Sequence, residues 1–443
     1  MKDHATDIIR TLQNNGNVAV FCGGAVRDPL MNRTPKDWDV ATSAVPSQVI
    51  ELYPHSVLDG IERGVVGVIT PAGVVDVATL RKDGSYSDGR RPDSVEFTHS
   101  LEEDARRRDF TINAMFLDPI SGELHDFHDG QSDIRRRVVK TVGTPDDRFR
   151  EDALRMLRAV RFTCQLGFVF DRGIQDSCVE LSPLVHGLSG ERVWAELSKI
   201  LMTNCPENGI SLLRSCGILD KILPEVADLY GLRQDPIHHR EGDVWGHTLL
   251  ALVDLQIEGA DLETRFAGLL HDIGKKTCCQ FRLEDGVERI SNIGHDLEGA
   301  NMAEQVCKRL KLSNDQTQKI TGLVRLHMRA HNGPKMRKSK LIQMMRHPDF
   351  DCLVQLQHAD SMGALRPEKS NREFYRSAQQ TLDISIKATP LVGGKDLINL
   401  GLKPGPEFRR ILDSIREAQD DGLISTREEA IAMVKESDVQ RDS

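Results

Sequence analysis

The period of the apolar residues changes once along this chain, and that change limits the folds open to it. Over the first 150 residues apolar side chains come in short β-rich runs: Val18–Cys22, Val65–Thr70 and Val74–Leu80. Turn residues interrupt them, as in Pro71-Ala-Gly73 and Asp118-Pro-Ile-Ser-Gly-Glu123. From Asp147 onward the spacing is helical almost without a break. Leu154, Leu157, Val160 and Phe162 share a face, and Arg192–Leu201 and Ile210–Leu219 follow. A second helical region runs from about Gly246 to Ala388, and Pro390–Gly405, with four glycines and two prolines, sets off a short helical end-piece. A chain of 443 residues exceeds one ordinary domain. The pattern predicts a multidomain protein: a small α+β head over residues 1–146, a helical neck over 147–232, an all-α domain over 233–388 and an end-piece over 389–443.

Composition excludes several classes. Hydrophobic residues make up 39% and charged residues 28%, which fits a globular chain and argues against long disorder. The apolar runs are strand-sized, too short to span a bilayer. Met1 to Leu12 carries charge and helical spacing in place of an apolar leader. Nine scattered cysteines without a C-x-x-C pair offer neither a zinc ribbon nor a disulfide framework, and suit a reducing, cytoplasmic setting. The net charge of −9 is unevenly spread. Between Gln305 and Arg346 stand eleven Lys/Arg and one acid, whereas Asp413 to the end holds nine acids and four bases. A basic band on an acidic chain keeps a polyanionic partner open, with a solvated helical face as the alternative. Lys335–Lys340, within that band, is a candidate contact for an RNA backbone.

In the head, Phe21-Cys-Gly23-Gly24-Ala-Val-Arg27-Asp28 follows a predicted strand and opens a predicted helix, where paired glycines let backbone N–H groups approach an anion. Lys36-Asp37-Trp38-Asp39-Val40 reads as a strand whose period of two puts Asp37 and Asp39 on one face, able to hold hard cations. The alternative is a pair of loop acids capping a turn. Asp76 interrupts Val74–Leu80, where an acid costs β propensity and is expected to be buried unless it is an exposed edge residue. A metal shared with Asp37 and Asp39 would give it a partner.

Further motifs follow in order: Arg81-x-Asp-Gly-x-Tyr86-x-Asp88-x-Arg90-x-Pro92, Arg107-Arg108-Asp109-Phe-Thr-Ile-Asn113, and Arg148-Phe-x-Glu151-Asp152-x-x-Arg155-x-x-Arg158. Together with the Gly-Gly turn and Asp37-x-Asp39, they resemble the class II tRNA nucleotidyltransferase and poly(A) polymerase family. The resemblance implies a nucleotidyltransferase head in which Asp37, Asp39 and Asp76 are catalytic and Asp37 and Asp39 bind Mg²⁺. It also implies nucleotide binding by Gly23, Gly24, Arg27, Arg108, Asp109, Asn113, Glu151, Asp152, Arg155, Arg158 and Arg161. CTP, ATP and tRNA are the expected partners, and addition of C, C and A to the tRNA 3′ end is the expected activity. An A-adding enzyme or a bacterial poly(A) polymerase is the nearest rival. Arg81–Val95, rich in Gly, Asp and Ser, reads as a mobile loop, and in the family such a loop accompanies the switch from C to A.

Asp152, Arg155 and Arg158 fall at i, i+3 and i+6 of the predicted helix, with Glu151 and Arg155 at i, i+4. A surface helix laced with ion pairs would show the same spacing. Beside a nucleotide site it has a second use. A carboxylate accepts and a guanidinium donates. Cytosine and adenine both present an amino donor next to a ring-nitrogen acceptor, and uracil and guanine present the reverse. An Asp152/Arg155 pair in fixed register therefore accepts C and A. Arg158 and Arg161 are expected near the triphosphate or primer.

In the body, His271-Asp272-Ile-Gly-Lys275 ends an apolar helical run, with His247 upstream and Asp360 downstream. The order H…HD…D resembles the HD phosphohydrolase superfamily. That implies an HD domain over 233–388 with His247, His271, Asp272 and Asp360 as metal ligands. His295 and His327, or His331, stand where longer HD sites hold a second ion. Imidazole with carboxylate suits a transition metal such as Ni²⁺ or Mn²⁺. A degenerate helical scaffold is the alternative. A metal-dependent phosphohydrolase with an RNA-binding head is the rival reading from another class.

Overall fold

In the computed structural model, residues 1–84, 94–235, 242–284 and 287–439 are described. Tyr86, Asp88, Arg90 and Pro92 of the expected loop lie outside the described residues. The chain forms two compact units, Met1–Ala227 and Asp228–Ser443. Among the described residues, no helix is long and apolar enough to cross a membrane.

The N-terminal unit is built on a seven-stranded mixed sheet. Its strands are β1 (Ala19–Cys22), β2 (Val40–Thr42), β3 (Ser56–Val57), β4 (Val65–Thr70) and β5 (Gly73–Thr79). After a separate two-stranded ladder, β6 (Arg81–Asp83) with β7 (Val95–Phe97), come β8 (Met115–Leu117) and β9 (Leu124–Asp126). The sheet order is β3-β4-β5-β2-β1-β8-β9, and β2 and β5 form its parallel pair. The ends of the segment expected to be a loop, Arg81–Val95, are thus strand. Alternating side chains give the sheet two faces. One is sealed by the helix Lys2–Asn14, whose Ile8, Ile9 and Leu12 pack on Phe21, Val40, Val66 and Val77. The other carries a smaller apolar patch around Val20, Leu80, Ala105 and Phe116. It is left open beside Asp39 and Asp76.

Helices Pro145–Glu151, Leu154–Leu166, Gly190–Leu201 and Pro206–Ser215 complete this unit. The helix expected through Glu151–Arg161 is broken. Asp152 is extended, with φ −152° and ψ 106°, between two helices. Its side chain is the cause: Asp152 Oδ1 accepts from Leu154 N–H at 3.0 Å, so it caps the second helix and cannot continue the first.

The C-terminal unit is helical, with one departure from the expected all-α domain. Gln280–Glu284 and Val287–Ser291 form an antiparallel hairpin, because Gln280-Phe-Arg-Leu-Glu284 alternates apolar and polar residues at period two. Helices Val244–Ile257, Leu262–Leu270, His295–Arg309, Asn314–His331 and Phe350–Gly363 pack around one polar interior. The acidic end of the chain has a structural use. Asp420, on Pro406–Asp421, takes a two-pronged ion pair from Arg346 at 2.6 Å, and Glu417 and Asp421 pair with Lys340 and Arg337. Those cations of the basic band face acids of their own chain, and an RNA backbone would have to displace them.

Candidate active site

Gly23 caps the helix Gly24–Leu30 with φ 60°, a conformation that favours glycine. The chain then passes Arg27, which is buried. Its Nε donates to Asp28 at 2.8 Å and its Nη1 to Asn113 Oδ1 at 2.7 Å. Arg108 lies over the Phe116 ring at 4.7 Å and donates to Asp104 at 3.1 Å and to the Asn113 carbonyl at 3.1 Å. Asp109 accepts from Arg158 Nε at 2.7 Å and from Asn113 Nδ2 at 3.2 Å. Burial works against a charge on Asp109, yet Arg158 and Asn113 hold its carboxyl down at about 2. Asp109 and Asn113 therefore brace arginines as well as lining the cleft.

Opposite these cations lie the carboxylates. Asp37-Trp-Asp39 is extended but precedes β2, which begins at Val40, so the expected strand is shorter than read. Trp38 packs on Phe21 with ring centroids 4.9 Å apart, which turns the alternating Asp37 and Asp39 away from that core. Asp76, on β5 beside β2, is exposed, against the expected burial. The bare sheet face explains it: among the described residues no helix covers that position, and β5 is an interior strand, so Asp76 is not an edge residue. Asp39 feels the crowding. Burial, then the charges of Asp76 and Asp37, push its carboxyl up to about 6. The three acids do not close on a single point, since among the described residues the ligand triads within 4.8 Å lie elsewhere.

One cleft of about 580 Å³ joins Gly23, Gly24, Arg27, Arg108, Asp39 and Asp76 to Asp152, Arg155 and Arg158 across it. Asp37 and Glu151 are not in its wall. Glu151 pairs with both Arg148 and Arg155, and Arg155 also donates to the Arg107 carbonyl at 3.1 Å. Arg161 departs from the expectation. It is buried, paired with Glu196 at 2.5 Å and Gln165 at 2.8 Å, its guanidinium 4.0 Å over Phe162. Glu196 on the neighbouring helix draws it inward, so it does not reach the cleft. Arg192 escaped the sequence reading altogether. It lines the cleft and donates to Asp152 Oδ2 at 2.7 Å. The one available signal was a charge in the first turn of an amphipathic helix.

The C-terminal unit holds a second polar centre. His247 and His271 approach Nε2 to Nε2 at 3.2 Å, with Asp360 Oδ1 3.1 Å from His247. Beside them His295 and His327 meet Nε2 to Nε2 at 3.2 Å, with Asp272 Oδ1 3.3 Å from His295. His271, His295 and His327 each set Nδ1 against a backbone carbonyl, of Gly268, Asn292 and Val324, at 2.6 to 2.7 Å. A carbonyl only accepts, so Nδ1 carries the hydrogen and Nε2 presents a lone pair. Burial pushes His327 down to about 3, with His271 and His295 adding to it. Confronted lone pairs and carboxylates form two ligand triads, His247/His271/Asp360 and Asp272/His295/His327. Lys275 meets Asp272 at 2.7 Å. His331 lies outside both triads and contacts Asp360 Oδ2 at 2.7 Å. The centre opens on a cavity of about 850 Å³.

The geometry accords with what this chain is similar to. The profile described as "Poly A polymerase head domain" matches residues 19–140, "Probable RNA and SrmB- binding site of polymerase A" matches 167–229, and "tRNA nucleotidyltransferase domain 2 putative" matches 283–434. The CCA-adding enzyme of Geobacillus kaustophilus (strain HTA426) is 45% identical over 216 residues, 49% of this chain and 53% of that protein. That of Limosilactobacillus reuteri (strain DSM 20016) is 40% identical over 214 residues, 48% and 53% respectively. The chain thus spans about half the length of the curated relatives it matches. In structure, the Bacillus stearothermophilus CCA-adding enzyme in complex with CTP superposes with a TM-score of 0.76 at 28% identity, covering 99% of this chain and 98% of that one. Matching segments thus run in order along both of its units, and together they make the chain similar to the tRNA nucleotidyltransferase and poly(A) polymerase family.

Proposed function

We propose that this chain is a template-independent CCA-adding tRNA nucleotidyltransferase, taking C from CTP and A from ATP. The observation that carries the reading is the single cleft in which a Gly-Gly turn, two arginines and Asp39 with Asp76 face Asp152 and Arg155. A nucleoside triphosphate needs all of these at once: donors for its phosphates, acids for its cation, and an acceptor beside a donor for its base. Gly24 keeps the turn free of side chain, and Arg27 and Arg108 present guanidinium donors to the triphosphate. Asp152 accepts from the exocyclic amino group and Arg155 donates to the neighbouring ring nitrogen. Uracil and guanine would set donor against donor and acceptor against acceptor.

The donor set fits a divalent cation. Oxygen ligands suit Mg²⁺, and burial together with the charges of Asp76 and Asp37 raises the Asp39 carboxyl, a cost that a cation would relieve. Asp37, Asp39 and Asp76 would hold it. When bound it supplies charge at the α-phosphate and activates the primer 3′-hydroxyl that displaces pyrophosphate. Asp39, just before β2, and Asp76, on β5, would orient it from the cleft wall, and Asp37 would have to turn in from outside that wall to join them. Among related activities the paired C and A recognition favours CCA addition over poly(A) synthesis.

A second reading applies to the C-terminal unit. Its six-ligand centre supports an HD-type phosphohydrolase site holding two transition-metal ions such as Ni²⁺ or Mn²⁺, one per triad. This reading extends the four-residue H…HD…D core to His295 and His327. His331 would orient Asp360 from outside.

Three outcomes follow. With Mg²⁺, CTP and ATP, a tRNA transcript ending at its discriminator base gains C, C and A and then stops. Asp39→Ala abolishes the gain, while a long A ladder would mark a poly(A) polymerase. Protons compete with Mg²⁺ at Asp39, whose carboxyl titrates at about 6. Below that pH the cation-free site is mostly protonated, so the Mg²⁺ concentration for half-maximal addition rises about tenfold from pH 7 to pH 5 and is flat above pH 7. An Mg²⁺ requirement independent of pH over that range would remove Asp39 from the cation site. Finally, metal analysis of the whole chain carrying Asp39→Ala, which removes the head site, and loaded with Mn²⁺ gives about two ions per chain, falling to about one when His327→Ala is added, with helix content unchanged by circular dichroism. No bound metal would make this unit a scaffold.

A further inference from the structure

We propose that Arg192 is a positioning residue for base selection: it fixes the plane of the Asp152 carboxylate. This rests on the assignment of base selection to Asp152 and Arg155. Asp152 sits in the gap between two helices, at φ −152° and ψ 106°, where helix geometry cannot orient its side chain. Two donors do so instead. Leu154 N–H bonds Oδ1 at 3.0 Å and Arg192 Nη2 bonds Oδ2 at 2.7 Å. One contact would leave the carboxylate free to rotate about its Cβ–Cγ bond. Two contacts on different oxygens hold the plane, and each oxygen keeps a second lone pair for an amino group.

The anchor for this contact lies in the protein framework. Arg192 is on the helix Gly190–Leu201, whose Val193, Leu197, Ile200 and Leu201 are buried in the N-terminal unit. The pair is largely shielded, with side-chain exposures of 20% and 17%, so the attraction is less screened than at the surface. The other arginines of the cleft have further duties. Arg108 bonds Asp104 and a backbone carbonyl, and Arg158 bonds Asp109. Arg192 Nη1, by contrast, is buried without a hydrogen-bond partner among the described residues. A guanidinium that leaves one donor unmet to reach Asp152 is placed for Asp152. Loosening that carboxylate removes the register that separates cytosine from uracil. It leaves the phosphate and cation ligands across the cleft in place.

The test is single-nucleotide addition to a tRNA transcript ending at the discriminator base, with CTP and UTP measured separately. Wild type, Arg192→Gln, Arg192→Lys and Asp152→Ala are compared, with melting temperature as a check on folding. The expected result is a CTP-over-UTP ratio of kcat/KM about tenfold or more lower in Arg192→Gln, the size of one lost charge-assisted hydrogen bond. The loss comes more through KM for CTP than through kcat. Arg192→Lys, which keeps the charge and a donor, recovers part of the ratio. An unchanged ratio in Arg192→Gln, with the ratio lost in Asp152→Ala, overturns the role of Arg192 and leaves base selection by Asp152 standing. Tighter CTP binding in Arg192→Gln also overturns it, since Arg192 would then be a clamp that must release Asp152. A ratio retained in Asp152→Ala fails the underlying assignment itself.

Discussion

Guanidinium groups held by buried carboxyls are the constraint on which the rest of the head depends. Arg27, Arg108, Arg155, Arg158 and Arg192 are among the arginines that line one cleft, and like charges so close would scatter without partners. Each has an acid or amide fixing it: Asn113 and Asp28 for Arg27, Asp104 for Arg108, Glu151 for Arg155, Asp109 for Arg158, Asp152 for Arg192. Asp104 and Asp109 are themselves buried, so they stay charged only because the arginines are there. The dependence is mutual. Removing one partner leaves an unpaired charge in a poorly solvated place, which costs more than the pair contributes. The result is a rigid set of donors that needs little rearrangement when an anion arrives.

The opposite wall works by deficit. Asp39, just before β2, and Asp76, on the neighbouring β5, both line the cleft at the open sheet face, with Asp37 two residues before Asp39. Arg108 is the cation that tempers Asp39, and it does not suffice. Surplus donors on one wall and surplus acid on the other are what the proposed polyphosphate with its divalent cation would require. In the C-terminal unit the same logic is carried out with imidazoles whose hydrogens are committed to backbone carbonyls. Their lone pairs are left facing one another.

Much of this was legible in the sequence, for identifiable reasons. The change of apolar period reports which backbone can bury which side chains, so the sheet followed by helices could be read directly. The acids and arginines of the head stand in short ordered motifs, and their chemistry follows from donor and acceptor inventories. What escaped depends on tertiary context. Asp152 breaks a helix because its own side chain caps the next one, a choice that spacing alone does not reveal. Asp76 is exposed because its side chain alternates away from the buried Val75 and Val77, onto a face that no described helix covers. Arg161 resembles Arg158 in sequence and parts from it because it bonds Glu196, 35 residues on, whereas Arg158 bonds Asp109. Arg192 was missed for the same reason, since its partner is 40 residues away. The period-two run Gln280–Glu284 was hidden by the helices around it.

The central claim is that one fixed acceptor–donor pair reads C and A alike and rejects U and G. Equilibrium binding of the four nucleoside triphosphates to the whole chain, in Mg²⁺ and without tRNA, tests it most directly. CTP and ATP are expected to bind within about tenfold of one another, and UTP and GTP roughly a hundredfold or more weakly. UTP binding as tightly as CTP would contradict it.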